Sequence, residues 1–397
     1  MQPHIPYWLD EPQHTRQALH QDLQTDVLVI GGGLCGTAAL LYLAEQGLNP
    51  VLIDSRNIAQ AATGRNAGFI LQGTAERYSR AIATLGHDKA QAIHRWSLIN
   101  HERIASRIRT YNIECGYAKT GSLQLANSPS EEADLRESMR LLLADGFEAQ
   151  WLTEHELGPG YTENGFRMGL LLPEDGELHP ARYVHGLAKA AVELGATIYS
   201  ETPALSVIEG LDGVAVTTPN ATIEAQVVLV CTNAYTPSIL PWFKDKIDPV
   251  RGQMLATAPA PKVFDRPIYA DHGYDYWRQD EKGSIVLGGW RNLDPDAEVG
   301  FEETLNPDIQ SAMTRFIQQF PQLKDTPISH RWSGIMGFSV DGLPILGAPP
   351  GMNAVLVAAG FTGHGFGFAQ LAGEAIAEVA LEGQHSFVDA LSARRFL

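Results

Sequence analysis

The stretch DVLVIGGGLCGTAALLYLAEQG, residues 26–47, decides the fold of this 397-residue chain. Residues 26–30 form a short apolar run that ends in glycines, which is typical of a central parallel strand buried on both faces. The pattern over residues 34–45 predicts a helix, and Gly47 suits its C-terminal cap. Residues 51–53, VLI, predict the next strand, so a β-α-β unit is complete within about 30 residues.

The glycines of this unit match the pattern G-x-G-x-x-G at Gly31, Gly33 and Gly36. The first permits a tight turn, the second lets a pyrophosphate approach backbone N–H groups, and the third allows close helix–strand packing. Asp54 closes the second strand 23 residues after Gly31, where a carboxylate can accept a hydrogen bond from a ribose hydroxyl. The combination predicts a dinucleotide site rather than a simple glycine turn.

Two further loops favour FAD over NAD as the dinucleotide. The loop TGRNAG, residues 63–68, follows Asp54 closely and suits a second contact with an extended FAD; a surface turn is the alternative interpretation. The turn GFTGHGFG, residues 360–367, joins an apolar strand to a helix. A helix N-terminus aimed at the N1–C2 carbonyl region of a reduced flavin stabilises the negative charge there.

The rest of the chain alternates helical and β-like patterns, without an internal repeat. We expect helices over 80–111, 130–144, 181–194 and 370–382 and strands over 197–199, 214–217, 227–230, 283–289 and 354–359. The early pair Tyr7 and Trp8 indicates an irregular arm that folds back over the body through its aromatic rings.

Charge and cysteine content exclude several classes of protein. A formal net charge of −17 disfavours nucleic acid and anionic membranes, which both require a basic patch. Cys35, Cys115 and Cys231 are odd in number, far apart and without a C-x-x-C pair, so we expect neither a disulfide framework nor a zinc site. This usage fits a reducing, cytoplasmic setting.

Two further absences shape the prediction. The N-terminus has no basic-then-apolar signal pattern and no window reaches the roughly 18 apolar residues of a spanning helix, which predicts a soluble protein. His87, His94 and His101 recur every seven residues, and a solvated helix face explains them better than a metal site. We therefore assign no metal.

In their order along the chain, the motifs resemble the D-amino-acid-oxidase superfamily of flavoproteins, and within it the branch of the γ-glutamylputrescine oxidoreductases. The likeness covers nearly the whole chain, and its segments are YW, DVLVIGGGLCGTAAL, ATGRNAGF, GELHPARYVHGLA, VVLVCTNAYT, VRGQMLAT, SGIMGFSVDGLPILG and GFTGHGFGFAQLAGEAIAE. Most are loose individually, but their order is specific.

The resemblance implies an α/β fold in which a Rossmann-like FAD-binding domain is assembled from discontinuous segments. An α+β, sheet-rich substrate domain is expected to cover the flavin face. The boundaries that we expect are 1–22 for the N-terminal arm, 23–80, 178–235 and 333–397 for the FAD-binding domain, and 81–177 and 236–332 for the substrate domain.

The resemblance also implies which residues bind the cofactor. Carried over by position, the ADP half would contact Gly31, Gly33, Gly36, Asp54 and Arg56, Ala204 would meet the adenine, and residues 363–365 would face the pyrimidine edge of the flavin. The full predicted set is Gly31, Gly33, Leu34, Cys35, Gly36, Asp54, Ser55, Arg56, Thr63, Gly64, Arg65, Asn66, Ala67, Gly68, Ala204, Thr232, Asn233, Gly334, Met336, Gly360, Phe361, Thr362, Gly363, His364 and Gly365.

Three departures from the family pattern refine this expectation. Asp54 stands where the family commonly has the longer Glu. Members with covalent flavin carry a Cys near the position of Ile335 and Met336, and this chain has none there, so FAD is predicted to be noncovalent. Amino-acid oxidases hold the substrate carboxylate with an Arg where this chain has residues 334–337, GIMG. An amine whose carboxylate, if present, lies farther away therefore fits better than a simple α-amino acid.

The chemistry implied is loss of a hydride from the carbon beside a neutral amine, giving an imine that water hydrolyses. Such a reaction needs orientation and desolvation more than a strong general base. We expect catalytic roles for His364, Tyr276 and Arg278, and substrate contacts over residues 274–278 and 290–291; a half-exposed strand is the alternative for these contacts.

Other interpretations stay open at this point. Arg251 could hold a carboxylate, although a structural pairing with an acid is favoured. The main alternatives for function are an FAD-dependent D-amino-acid or 2-hydroxy-acid dehydrogenase and a partner-dependent flavoprotein subunit. Either oxygen or another acceptor can take the electrons.

Overall fold

The computed structural model describes residues 5–12, 15–162 and 165–397. Its α-helices are α1 (Leu34–Glu45), α2 (Tyr78–Leu85), α3 (His87–Tyr111), α4 (Pro129–Ala144), α5 (Glu154–Leu157), α6 (Pro159–Thr162), α7 (Pro180–Glu193), α8 (Thr236–Ile239), α9 (Pro307–Gln318), α10 (Ala369–Glu382) and α11 (Ser386–Ala390).

The strands form two large sheets and one small one. In chain order they are β1 (Leu23–Ile30), β2 (Val51–Ile53), β3 (Phe69–Ile70), β4 (Ser122–Leu125), β5 (Gln150–Thr153), β6 (Met168–Leu172), β7 (Gly176–Glu177), β8 (Thr197–Tyr199), β9 (Ser206–Glu209), β10 (Val214–Thr217), β11 (Thr222–Val230), β12 (Ile247–Thr257), β13 (Ile268–Ala270), β14 (Asp275–Gln279), β15 (Ile285–Gly289), β16 (Ile328–Ser339), β17 (Ile345–Gly347) and β18 (Val355–Ala359).

The first sheet has the predicted β-α-β unit at its centre. Its order is β17-β18-β11-β1-β2-β8, and β9 and β10 extend it from β11. Strands β18, β11, β1, β2 and β8 are parallel, and the last four residues of β1 are buried. Such burial requires a continuous apolar run, which the sequence supplies. Both α1 and β2 have their predicted bounds.

The two ends of the chain meet on one side of this sheet, where α10 packs against α1. At the crossing, a Cβ on Gly373 would lie 2.1 Å from the carbonyl oxygen of Cys35. Only glycine permits so close an approach of two helices. The turn before α10 is thereby brought next to the glycine turn before α1.

The second sheet has the order β16-β12-β15-β14-β13-β4-β6-β5 and is mostly antiparallel. One side of it encloses an aromatic core that includes Trp277, Phe264 and Phe320, all fully buried. The long strand pair β12–β16 packs against two 3-10 turns that follow strands of the first sheet: Ala62–Arg65 after β2 and Asn233–Tyr235 after β11. The second sheet therefore stands over the ends of the parallel strands.

Several sequence predictions require correction. The helix expected over 80–111 is two helices, because Gly86 adopts φ +82 between α2 and α3. The prediction of a solvated histidine face is wrong for His94 and His101, which are buried. Burial lowers the pKa of His94 to about 3 and that of His101 to about 4, so both rings are neutral near neutral pH.

The N-terminal arm folds back through an aromatic side chain, as expected, in the portion that is described. Trp8 is 2% exposed, and its Nε1 donates to the carbonyl oxygen of Asn66 at 2.7 Å. Residues 1–4 and 13–14 of the predicted arm lie outside the described residues. Within the ranges 5–12, 15–162 and 165–397, no helix is long and apolar enough to cross a bilayer.

Candidate functional site

A cavity of about 660 Å³ lies where the ends of the parallel strands face the second sheet. Segments from many parts of the chain form its wall, and five of them are the glycine turn, the loop over 61–67, residues 231–235, residues 334–338 and the turn over 361–367. Strands β13 and β14 supply further side chains. Because ligands of open α/β sheets bind beyond the carboxyl ends of the strands, this cavity is the candidate site.

The glycine turn is closed so tightly that no side chain can replace Gly31 or Gly36. Gly31 has φ +110, and a Cβ there would lie 2.7 Å from the carbonyl oxygen of Cys231. A Cβ on Gly36 would lie 1.9 Å from the carbonyl oxygen of Gly31. In the described part of the chain, the N–H groups of Gly33 and Cys35 have no acceptor. These free N–H groups at the N-terminus of α1 can donate hydrogen bonds to an anion.

Asp54 is already anchored by the backbone around it. Its Oδ2 accepts from the N–H of Gly32 at 2.6 Å and its Oδ1 from the N–H of Arg56 at 2.7 Å. Burial raises the pKa of Asp54, and the two N–H donors oppose that rise. Each carboxylate oxygen has a second lone pair, so Asp54 can still accept from a ligand hydroxyl in the cavity.

The loop over 63–68 is held by its own side chains. The Oγ1 of Thr63 accepts from the N–H of Leu34 at 3.1 Å and so ties the loop to α1. The amide of Asn66 donates to the carbonyl oxygens of Ala62 and Thr63, and its Oδ1 accepts from the N–H of Gly68 at 2.7 Å. Asn66 thus shapes the wall of the cavity by fixing the loop.

Two arginines of the predicted cofactor set share one carboxylate. Arg56 and Arg65 pair with Glu303 at 2.6 and 3.0 Å. Arg65 also donates to the carbonyl oxygen of Ser333 on β16 at 2.9 Å, which links the loop to the second sheet. Glu303 has no motif around it, and sequence reasoning missed it.

The turn after β18 is fixed by Asn233, whose Oδ1 accepts from the N–H of Gly360 at 3.0 Å. A 3-10 turn, Gly365–Gly367, precedes α10 at Ala369. Among the described residues, the N–H groups of Gly363 and Gly365 have no acceptor. The predicted supply of free N–H groups is therefore smaller than the run of glycines implies, since Asn233 also accepts from the N–H of Phe361 and the N–H of Gly367 donates to the His364 carbonyl.

His364 projects from this turn into the cavity wall and has a low proton affinity. Burial lowers its pKa to about 4, and the Thr362 carbonyl opposes this only in part. Its Nδ1 is buried without a hydrogen bond of normal geometry in the described structure. The imidazole is therefore neutral near neutral pH, and one of its polar atoms lacks a well-formed hydrogen bond in the described structure.

An aromatic group formed by Phe69, Tyr269 and Tyr276 lines the cavity beside His364. Phe69 lies edge-on to Tyr269 and Tyr276, with ring centroids 5.6 and 6.1 Å apart, and the two tyrosine rings are 5.6 Å apart. Tyr269 stacks on His364 at 6.3 Å with an interplanar angle of 23°. Neither Phe69, which ends the segment ATGRNAGF, nor Tyr269, which has no motif around it, was among the predicted site residues.

A buried carboxyl, Asp175, also lines the cavity and was missed by the sequence analysis. It accepts from the Ser122 hydroxyl at 2.6 Å and from the backbone N–H of Gln72 at 2.8 Å. Burial raises the pKa of Asp175 to about 7 against the effect of these donors. The wall of the cavity thus holds an acid that changes charge near neutral pH.

Five residues of the predicted cofactor set do not line the cavity: Gly36, Gly64, Gly68, Ala204 and Gly360. The structure does not support the expected substrate contacts of Arg278 and Trp277. Arg278 is 3% exposed, lies with its guanidinium over Trp8 and 3.5 Å from Glu177, and borders a separate cavity of about 280 Å³. Trp277 belongs to the aromatic core on the other face of β14. Tyr274, Tyr276 and Arg291 do line the main cavity.

Two further side-chain contacts bear on the sequence analysis. Cys35 and Cys231 are far apart in the sequence, but the fold brings their free Sγ atoms to within 3.7 Å of each other beside the glycine turn. The structural interpretation of Arg251 is confirmed, because its guanidinium pairs with Glu298 at 3.0 Å, and the Glu298 side chain is 1% exposed.

Fold and site together are those of a two-sheet oxidoreductase with a glycine turn of the dinucleotide-binding type. The family model of the DAO FAD dependent oxidoreductases matches residues 26–379. The chain therefore belongs to the DAO family of FAD-dependent oxidoreductases, which act on amines or amino acids.

Individual relatives agree with this assignment. The probable oxidoreductase OrdL of Haemophilus influenzae is 29% identical over 371 residues, 91% of this chain and 84% of the relative. The γ-glutamylputrescine oxidoreductase of Escherichia coli is 27% identical over 392 residues, 94% of this chain and 87% of the relative. The crystal structure of glycine oxidase from Geobacillus kaustophilus superposes with a TM-score of 0.80 at 20% identity, over 96% of this chain and all of that chain. The expected fold class and the FAD cofactor are confirmed.

The residues present fit FAD. Gly31 and Gly36 keep the N-terminus of α1 free of side chains. The N–H groups of Gly33 and Cys35 at this terminus have no acceptor in the described structure and can bind a diphosphate. At the other end of the cavity, His364 keeps a buried polar atom without a partner in the described structure. Unpaired buried polar atoms such as His364 Nδ1 are rare in native proteins, so this atom, together with the N–H groups without an acceptor at the glycine turn, favours a polar ligand that spans the cavity.

Proposed function

We propose that the chain oxidises a primary or secondary amine, such as a polyamine derivative, at the carbon beside the nitrogen. The product is an imine that water hydrolyses to a carbonyl compound and a smaller amine or ammonia. Bound FAD supplies the acceptor for the hydride. The names of the relatives support this class, since they include an oxidoreductase of γ-glutamylputrescine and an oxidase of glycine.

The observation that carries the proposal is the aromatic group beside His364. Its three rings give a water-poor wall, and desolvation favours the neutral form of an amine, whose nitrogen lone pair assists loss of the hydride. Strand β16, which borders the same space, presents Met336 and Phe338 rather than an arginine. Arg331 of the same strand does not line the cavity, so a carboxylate attached directly to the oxidised carbon would find no cation among the residues of β16 that do.

The residues that would hold FAD follow from the free groups at the two ends of the cavity. We assign the diphosphate to the N–H groups of Gly33 and Cys35, the ribose to Asp54, and the pyrimidine edge of the flavin to Gly363 and His364. His364 is neutral near neutral pH, so it offers a hydrogen bond without adding a full charge. Noncovalent attachment and the outline of the two domains remain predictions.

The test is anaerobic bleaching of the flavin band of the purified chain. The substrate panel contains polyamines, N-methyl amines, D- and L-amino acids, and 2-hydroxy acids. We expect bleaching by amines, with release of ammonia or a smaller amine, and without any added protein partner. Bleaching by 2-hydroxy acids alone, or by amino acids alone, would overturn the proposal. Bleaching that requires a partner protein would favour a flavoprotein subunit instead.

A further inference from the structure

Arg291 is held at the cavity wall by a strained turn that follows β15. Gly289 has φ +122, and a Cβ there would lie 1.8 Å from the carbonyl oxygen of Tyr274. The next residue, Trp290, has φ 56, and its N–H donates to the same Tyr274 carbonyl at 2.9 Å. A bulky residue in the left-handed region costs about 1–3 kcal/mol, and such strain concentrates at ligand sites. The turn fixes the position of Arg291 beside Tyr274.

The surroundings of Arg291 leave the edges of its guanidinium free. The group lies over the ring of Tyr274 at 5.6 Å and over the ring of Phe338 at 4.9 Å. Rings that cover the faces of a guanidinium orient it and leave its N–H donors pointing outward. Arg291 also lines the main cavity, so these donors have access to a ligand there.

Arg291 differs from the other arginines of this cavity, which all pair with carboxylates: Arg56 and Arg65 with Glu303, and Arg77 with Glu131. In the described part of the chain, the guanidinium of Arg291 has neither an ion pair nor a hydrogen bond, and only the backbone carbonyl of this residue is bonded, to the N–H of Asp294. The chain carries 46 acidic residues against 29 Lys and Arg, so carboxylates are abundant. A half-buried guanidinium without a carboxylate partner is therefore a natural binding group for a carboxylate of a ligand.

We propose that Arg291 binds the carboxylate of the substrate, and that this carboxylate is separated from the oxidised carbon by several bonds. The choice of an amine as the substrate rests on the function proposed above. The binding of a carboxylate by Arg291 does not depend on that function. The ring of Phe338 lies under Arg291 and also 3.8 Å from the Cβ position of Gly363. The ring thus separates the guanidinium from the turn assigned to the flavin, so the substrate class is an amine with a distant carboxylate.

The test measures binding to the FAD-loaded enzyme by calorimetry and by perturbation of the flavin band. The probes are straight-chain carboxylates from acetate to hexanoate and the corresponding primary amides, none of which carries an amine. We expect the wild-type enzyme to prefer the carboxylates, and the longer acids over acetate. Arg291→Gln should weaken carboxylate binding about 10- to 100-fold, the range for hydrogen bonds to a charged group, and leave amide binding within about 2-fold.

Matched variants keep the result interpretable. Arg291→Lys retains the charge and should keep a preference for carboxylate over amide even if Gln disturbs the turn. Arg315→Gln removes an exposed arginine of α9 that does not line the cavity and should change neither affinity. Equal affinity of the wild-type enzyme for carboxylates and amides, or an unchanged preference in Arg291→Gln, would refute the assignment of Arg291.

The amine panel reports separately on the proposed function. If carboxylates bind through Arg291 but no amine bleaches the flavin, the proposed function fails and the carboxylate site stands. If amines bleach the flavin but Arg291→Gln binds carboxylates like the wild-type enzyme, the carboxylate site fails alone.

Discussion

The buried carboxyl of Asp175 makes the stability of the protein depend on pH in a direction that can be measured. Burial raises its pKa from the ordinary 3.8 to about 7 in the folded chain. The folded state therefore binds this proton more tightly than the unfolded state. The resulting stability is fully present below about pH 4 and is lost as the pH rises through about 7.

The size of the effect follows from the two proton affinities. Each pKa unit of difference between the folded and unfolded states corresponds to about 1.4 kcal/mol of unfolding free energy. The rise in the pKa of Asp175 therefore corresponds to about 4 kcal/mol. Asp175 is 0% exposed, so solvent screening does not reduce this figure much. For a chain of 397 residues, an unfolding entropy of about 2.1 cal/mol/K per residue converts 1 kcal/mol to roughly 1 °C in Tm.

The perturbation is Asp175→Asn. The amide has the same shape as the carboxyl group, and its oxygen can still accept from the N–H of Gln72. We expect the Tm of the wild-type enzyme relative to the variant to fall by about 4 °C between pH 4 and pH 7, and to level off above that pH. Scanning calorimetry of the FAD-loaded proteins measures it. Asp212→Asn, at an exposed loop position, is the control and should show no such trend. A difference that is constant or rises with pH would refute the burial argument.

Three further predictions concern the glycine turn, the aromatic group and a buried ion pair. Gly36→Ala should abolish FAD binding because its Cβ would collide with backbone 1.9 Å away, whereas Gly210→Ala, with no contact closer than 3.6 Å, should bind FAD normally; flavin fluorescence measures both. Tyr276→Leu should raise the amine concentration for half-maximal bleaching about 10-fold, and Tyr276→Phe less than about 3-fold, because the ring contacts matter more than the hydroxyl. Equal effects would contradict this role. Arg251→Met should destabilise the protein by about 3–5 kcal/mol in urea denaturation, because Glu298 would remain buried with the neutral donor Gln253 but without a cation. A loss below about 1 kcal/mol would contradict it.

The β-α-β unit could be predicted from sequence because its determinants are local. The apolar strand, the glycine turn and the helix follow one another directly, and the bounds of α1 and β2 were as expected. The same local reasoning failed at Gly86, where one glycine with positive φ divides an otherwise continuous helical pattern. Single glycines inside a periodic pattern carry too little information to show whether a helix continues.

The polar and ionisable part of the site depends on contacts between residues far apart in the chain. Arg56 meets Glu303 across 247 positions, and Asp175 meets Gln72 across 103 positions. No local pattern marks such partners. The alternation along β14 placed Tyr276 and Arg278 on the same face, but it could not show that Arg278 lies beyond the edge of the cavity, against Trp8.

A crystal structure of the purified enzyme with FAD tests most directly whether the two ends of the chain bind one cofactor. We predict a diphosphate within hydrogen-bond distance of the N–H groups of Gly33 and Cys35. We also predict a flavin pyrimidine edge against Gly363 and His364. A diphosphate at the glycine turn with the flavin ring directed away from residues 363–365 would contradict the account.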